Sequence, residues 1–170
     1  MNTKRVRVVP YDPQWPRNFE AICKEIREVL GEKAVAVHHV GSTAVPGMSA
    51  KPIIDLDVEI QSRSDFPAVR DRLKTAGYIH EGDLGIRDRE AFRYTGKQHL
   101  QIHHLYVCPS GSRELHRHLT FRNYLRTHPE AVREYSRVKE TAARHHPDSI
   151  EGYMEFKNNC IAELCQKCGL

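Results

Sequence analysis

Asp55, Asp57 and Glu59 alternate with Ile54, Leu56, Val58 and Ile60. In an extended strand, side chains two residues apart share a face, so this stretch sets three carboxylates against four apolar residues. Neighbouring acids on such a face stand roughly 6.5–7 Å apart at the backbone, close enough to converge on one divalent cation. Without a cation their like charges repel. An ordinary solvated sheet face gives the same alternation, so Asp-x-Asp alone does not define a site. Upstream, Gly41-Ser42 closes a short β-branched run, and 12 residues separate Ser42 from Asp55. A turn containing glycine lets backbone N–H groups and the Ser42 hydroxyl approach a phosphate that a bulky side chain would hold off.

The elements that must carry these residues are legible in outline. Phe19, Ile22, Cys23, Ile26, Val29 and Leu30 recur at steps of three and four, predicting a helix over 17–30 after the proline-rich entry Pro10-Tyr11-Asp12-Pro13-Gln14-Trp15-Pro16. Trp15 reads as a packing anchor. Residues 34–40 and 53–60 read as strands, and Phe66, Val69, Leu73 and Ala76 as a helix stopped at Gly77, with Ser64 or Asp65 as its cap. Weaker strand signals follow at 78–80, 91–95 and 100–107. From about Arg113, three helical stretches are broken at His128-Pro129 and His146-Pro147. This order predicts an α+β fold, with residues 1–170 as a single domain.

Composition narrows the class. The 170 residues carry 26 Lys and Arg against 22 Asp and Glu, a net charge of +4 spread along the chain. No basic stripe is interleaved with exposed aromatics, so nucleic acid is not the expected partner. No apolar run approaches the roughly 20 residues of a membrane span, and Met1-Asn2-Thr3-Lys4-Arg5-Val6 leads into no apolar signal core, so a cytoplasmic protein without a membrane segment is expected. Five cysteines imply no disulfide framework. Cys160, Cys165 and Cys168 have a C-x4-C-x2-C spacing but no second ligand pair nearby, and read as thiols on a terminal helix rather than a zinc site. Histidine, with 11 copies, is the unusual entry.

Gly-Ser, this gap, and then hydrophobic-Asp-hydrophobic-Asp resemble the signature of the DNA polymerase beta-like nucleotidyltransferase superfamily. More narrowly, His39-Val40-Gly41-Ser42-Thr43-Ala44-Val45-Pro46-Gly47 followed by Lys51-Pro52-Ile53-Ile54-Asp55 resembles the GrpB family. The likeness continues through Tyr11, Trp15-Pro16, Gly77-Tyr78, His104-Leu105-Tyr106-Val107, Phe121-Arg122-Asn123-Tyr124-Leu125-Arg126, the pair Tyr135 and Lys139, and the pair Tyr153 and Lys157, nearly the whole chain. The resemblance implies a nucleotidyltransferase-like mixed β-sheet flanked by helices, with a C-terminal helical bundle. It implies that Gly41 and Ser42 contact phosphate and that Asp55 and Asp57 ligate Mg²⁺ or Mn²⁺. The reaction implied is metal-dependent transfer from a nucleoside triphosphate to a small-molecule acceptor.

The sequence departs from that pattern in two places. Active members of the superfamily often carry a third carboxylate on a later strand, and Leu100–Val107 offers none. His104, with His103 beside it, stands there instead, and an imidazole can ligate a metal or serve as a base near neutral pH. His104 therefore joins Asp55 and Asp57 as a catalytic and metal-ligating candidate, and a catalytically inactive nucleotide- or anion-binding module is the alternative. Asn123 stands where the family usually has Asp, so any ion pair made there is weaker. Lys51, Arg122, Lys139 and Lys157 are the candidates for gripping phosphate, while Arg126 shares their helical spacing and is as readily a surface charge. His116 and His118, two apart in a predicted helix, lie on different faces and do not share a metal. His38, His145 and His146 read as structural or surface residues, and Tyr135 and Tyr153 as core edges.

Overall fold

A computed structural model describes residues 5–170; the Met1–Lys4 part of the start, read above as leading into no signal core, lies outside the described residues. Helix α1 (Trp15–Leu30) begins two residues earlier than its periodicity suggests, because Pro16 sits in the first turn, where a missing N–H disrupts no helical bond. Its buried stripe is Trp15, Phe19, Ile22, Cys23, Ile26 and Leu30. Strands β1 (Ala36–Val40) and β2 (Ile54–Ile60) follow, then helix α2 (Phe66–Thr75) and strands β3 (Tyr78–Gly82), β4 (Glu90–Tyr94) and β5 (His103–Pro109). Asp65 occupies the α2 N-cap position without a side-chain cap bond; its carboxylate pairs with Lys33 instead. Helices α3 (Arg113–Thr127), α4 (Pro129–His145) and α5 (Ile150–Lys167) end the chain, broken at the two His-Pro pairs.

The five strands form one mixed sheet in the order β1-β2-β5-β4-β3. Among the described residues only the β2–β5 pair of this sheet is parallel; its other pairs are antiparallel. One face of β2, with Ile54, Leu56, Val58 and Ile60, packs with Leu105 and Val107 of β5 and the buried stripes of α1 and α2. This is the principal core, and it consumes the apolar half of the alternation. On the opposite face α3 lies against β1 and β5. A second core joins Val45 and Met48, just after β1, to Leu125, Ala131, Val132, Tyr135 and Leu164 of the last three helices. The α+β architecture expected from the sequence is therefore present: a mixed sheet, flanking helices and a C-terminal bundle. Among the described residues no helix is long and apolar enough to cross a membrane.

Candidate functional site

The acid face of β2 meets histidines. Parallel register sets Asp55 beside His104 and Asp57 beside Tyr106. His104 Nδ1 donates to Asp55 Oδ1 at 2.9 Å, leaving Nε2 outside this bond. Asp57 is 0 % exposed, and its Oδ2 accepts from His118 Nδ1 at 2.6 Å. The other ring nitrogen of His118 lies 3.2 Å from Glu114 Oε1. Burial opposes charging of this ring, but the hydrogen bond and charge of Asp57, with Glu114 behind, hold its pKa above the ordinary histidine value. Glu59 accepts from Ser110 and pairs with His38 at 2.8 Å, and those bonds hold its carboxyl below the usual range. Each carboxylate of the strand face thus has its own imidazole.

The turn after β1 is fastened from several sides. Gly41 has φ +72°, a region that disfavours side chains, and a Cβ there would stand 2.4 Å from Asp55 Oδ2. The sequence reading gave Gly41 to phosphate approach; the structure adds that its bare Cα makes room for Asp55. A 3-10 turn over Ser42–Ala44 follows. His39 Nε2 bonds Thr43 Oγ1 at 2.9 Å, and the ring stacks on Phe19 with centroids 4.6 Å apart. Burial pushes the His39 pKa down to about 4, so it is neutral at pH 7. Arg122 takes a place other than the expected one: Nη1 donates to the His39 carbonyl at 3.0 Å, while Nε and Nη2 both reach Asn123 Oδ1. Arg126 donates to the Ala44 carbonyl at 2.9 Å. Both arginines clamp the turn's backbone from α3.

Opposite the acid face stand three lysines from separate parts of the chain. They line a pocket of about 270 Å³ together with Gly41, Ser42, Asp55, His104 and the rings of Tyr135 and Tyr153. Lys139 Nζ donates to Ser42 Oγ at 2.8 Å and lies 4.4 Å from the centre of the Tyr135 ring. Lys157 and Lys51 lie over Tyr153, at 4.3 and 5.6 Å. Among the described residues none of the three forms an ion pair. Burial lowers all three pKa values: Lys157 to about 8, Lys139 well below the ordinary range with Lys157 repelling it further, and Lys51 downward against the opposing charge of Asp55. Asp57 and Arg122 do not line this pocket. His103 is buried and bonded to the Tyr78 hydroxyl at 2.8 Å, so of this pair it is His104 that stands beside Asp55.

The fit of a divalent cation can be tested on the donors. Asp57 Oδ1 is fully buried and, among the described residues, has no hydrogen-bond partner, a costly state for a carboxylate oxygen that a cation would relieve. Carboxylate oxygens on adjacent inward positions suit a hard cation such as Mg²⁺, which usually takes one or two of them and completes its shell with water and phosphate. Among the described residues no three His, Cys, Asp or Glu side chains are grouped to hold a metal alone, the three C-terminal cysteines included. The donor chemistry therefore suits one cation shared with an anionic ligand.

Sequence reasoning missed His118. Its distance from His116 correctly separated those two rings, but the pairing with Asp57 depends on how α3 docks 61 residues downstream. The only signal was a histidine in a predicted helix of the C-terminal third.

The mixed sheet, the Gly-Ser turn and the acid strand define a nucleotidyltransferase-like fold. A crystal structure of the Cid1 poly(U) polymerase H336N mutant bound to MgATP is similar at a TM-score of 0.50 and 13 % identity, covering 78 % of this chain and 45 % of that one. The chain belongs to the GrpB family, whose sequence profile, described as GrpB protein, matches residues 5–167. The crystal structure of conserved protein GrpB from Enterococcus faecalis shares 32 % identity and a TM-score of 0.85, over 95 % of this chain and 96 % of that one. UPF0157 protein YqkA of Bacillus subtilis is 35 % identical over 158 residues, 93 % of this chain but 46 % of its own length. The chain thus spans about half of that relative.

Proposed function

We propose that residues 1–170 act as a single domain that binds a nucleoside triphosphate between the acid strand and the lysine wall and transfers its nucleotidyl group to a small hydroxyl- or amine-bearing acceptor. The observation that carries this reading is the convergence of Lys51, Lys139 and Lys157, none of them ion-paired among the described residues, on Ser42 and the pocket opposite Asp55. Ammonium groups removed from water without a carboxylate need another anion, and a polyphosphate supplies several charges at once. Ser42 and Lys139 would hold one phosphate, Lys157 and Lys51 the rest of the chain. Asp55 and Asp57 would hold Mg²⁺ or Mn²⁺, which supplies neutralisation of charge developing on the transferred phosphorus. His104, with Nδ1 on Asp55, has Nε2 available to take the proton of the attacking acceptor group.

A second reading is favoured by β5, which sets His104 and Tyr106 beside the two aspartates where a third carboxylate would serve a second cation. The same pocket would then bind a nucleotide or another anion without turnover. Incubating the chain with each labelled nucleoside triphosphate, Mg²⁺ or Mn²⁺ and a metabolite pool separates the two. Pyrophosphate release that disappears in Asp55→Ala supports transfer. Saturable nucleotide binding without release supports the binding module, and neither binding nor release overturns both.

A further inference from the structure

We propose that His118 is a positioning residue that aims the unpartnered oxygen of Asp57 at a divalent cation. This rests on the metal-dependent reading above and extends it to a side chain outside the pocket lining. Asp57 has no exposure to water, and of its two oxygens one is bonded to His118 and the other to nothing. A hydrogen bond to Oδ2 fixes the rotation of the carboxylate about its last bond and so fixes where Oδ1 points. The imidazole itself is held at both ends, since Nδ1 faces Asp57 Oδ2 at 2.6 Å and Nε2 faces Glu114 Oε1 at 3.2 Å. Turning the ring breaks the hydrogen bond to Asp57 and gives up the contact with Glu114. Glu114 sits one turn earlier on α3 and is steadied by Arg117, whose Nη1 lies 3.2 Å from the same oxygen. The helix lies against β1 and β5, which flank β2 on either side. Asp57 is thus oriented by a chain of contacts reaching from a rigid helix to the strand beneath it.

The arrangement also accounts for an asymmetry between the two aspartates. Asp55 lines the pocket, and its bond to His104 comes from the neighbouring strand. Asp57 lies below and depends on a partner from another layer. Outer-shell hydrogen bonds to ligating side chains orient the ligand, and their removal typically weakens metal binding about 10- to 100-fold.

The test is a titration of the full chain with Mn²⁺ at a fixed concentration of inorganic triphosphate, reading protein-bound Mn²⁺ by water proton relaxation enhancement, for the unaltered protein and for Asp57→Asn, His118→Ala, His118→Gln and His118→Asn. Melting temperatures are measured first, so that every titration is run where each variant is folded. Wild type is expected to bind and Asp57→Asn to lose binding. His118→Ala and His118→Gln are expected to weaken binding about 10- to 100-fold. His118→Asn places an amide N–H near the position of Nδ1 and is expected to retain most of the affinity, a rescue that a merely structural role would not produce. Equal affinity in wild type and His118→Ala, with binding lost in Asp57→Asn, overturns the role of His118 and leaves the metal reading standing. A loss shared by all three His118 variants also overturns it. Absence of Mn²⁺ binding in wild type, or undiminished binding in Asp57→Asn, overturns both.

Discussion

The acid strand, which reaches the pocket through Asp55, and the lysine wall opposite it solve opposite electrostatic problems in opposite ways. On β2, Asp55, Asp57 and Glu59 each have an imidazole within hydrogen-bonding distance. Across the pocket, Lys51, Lys139 and Lys157 have a hydroxyl and two aromatic rings for company and, among the described residues, no ion-paired carboxylate. The acid wall is nearly complete in itself, apart from one oxygen of Asp57. The cationic wall is not, and burial has already pushed its ammonium groups toward deprotonation. An anion would stabilise the second wall far more than a cation would stabilise the first. The lysine wall is therefore the side of the pocket whose charge is left uncompensated among the described residues.

Four changes break or sharpen this contrast. The largest effect should come from Gly41→Ala, which puts a Cβ on Asp55 at a positive φ. Strain and overpacking together should lower stability by roughly 2–4 kcal/mol in urea unfolding and disturb the acid wall. Next, Lys139→Met should weaken binding of inorganic triphosphate by about 10- to 100-fold, the worth of a charge-assisted hydrogen bond, in calorimetric titration. The same change removes a desolvated charge, so the unliganded protein should melt higher. Unchanged triphosphate affinity would remove Lys139 from the cationic wall.

Acidity gives a third, smaller lever. The folded pKa of Lys157 is pushed down to about 8 from an ordinary value of 10.5. Between those values the unfolded chain binds the extra proton, so stability should rise as pH increases from 8 to 10.5. Over the same rise triphosphate affinity should fall, because the neutral amine no longer attracts the anion. Lys157→Met should flatten its share of both trends, read as melting temperature and affinity against pH. The smallest effect belongs to Asn123→Asp, which gives the Arg122 fork an exposed charged partner away from the pocket. Stability should change by less than about 1 kcal/mol and triphosphate affinity not at all.

The sequence disclosed these features unevenly, for physical reasons. The alternation in β2 exposed both its strand character and its acid face, since a period of two admits little else. Ser42 was legible from its glycine turn, whereas Lys51 and the lysines of α4 and α5 were legible through the family motif, because helical spacing alone does not say which basic side chain turns inward. Arg122 shows the limit of that route: the motif marks the residue, but its guanidinium grips backbone at the turn rather than lining the pocket. His118 and the crowding of Gly41 by Asp55 were illegible, since each depends on contacts made across the fold. The first strand residues of β5 were misjudged for a local reason, as Leu100 closes a turn onto Lys97 before pairing begins at His103.

The parallel pairing of β2 with β5 also sets a timetable. Antiparallel neighbours such as β3 and β4 meet through a short connection, whereas Asp55 and His104 are 49 residues apart and meet only when the chain between them has crossed over. Contacts of that range carry a loop-closure cost before any pairing rewards them, and they form slowly. During refolding, hydrogen-exchange protection should therefore reach the β3–β4 hairpin before it reaches the β2–β5 ladder. A nascent or partly unfolded chain can hold that hairpin while possessing neither wall of the pocket, so ligand binding would report the last act of folding rather than the first.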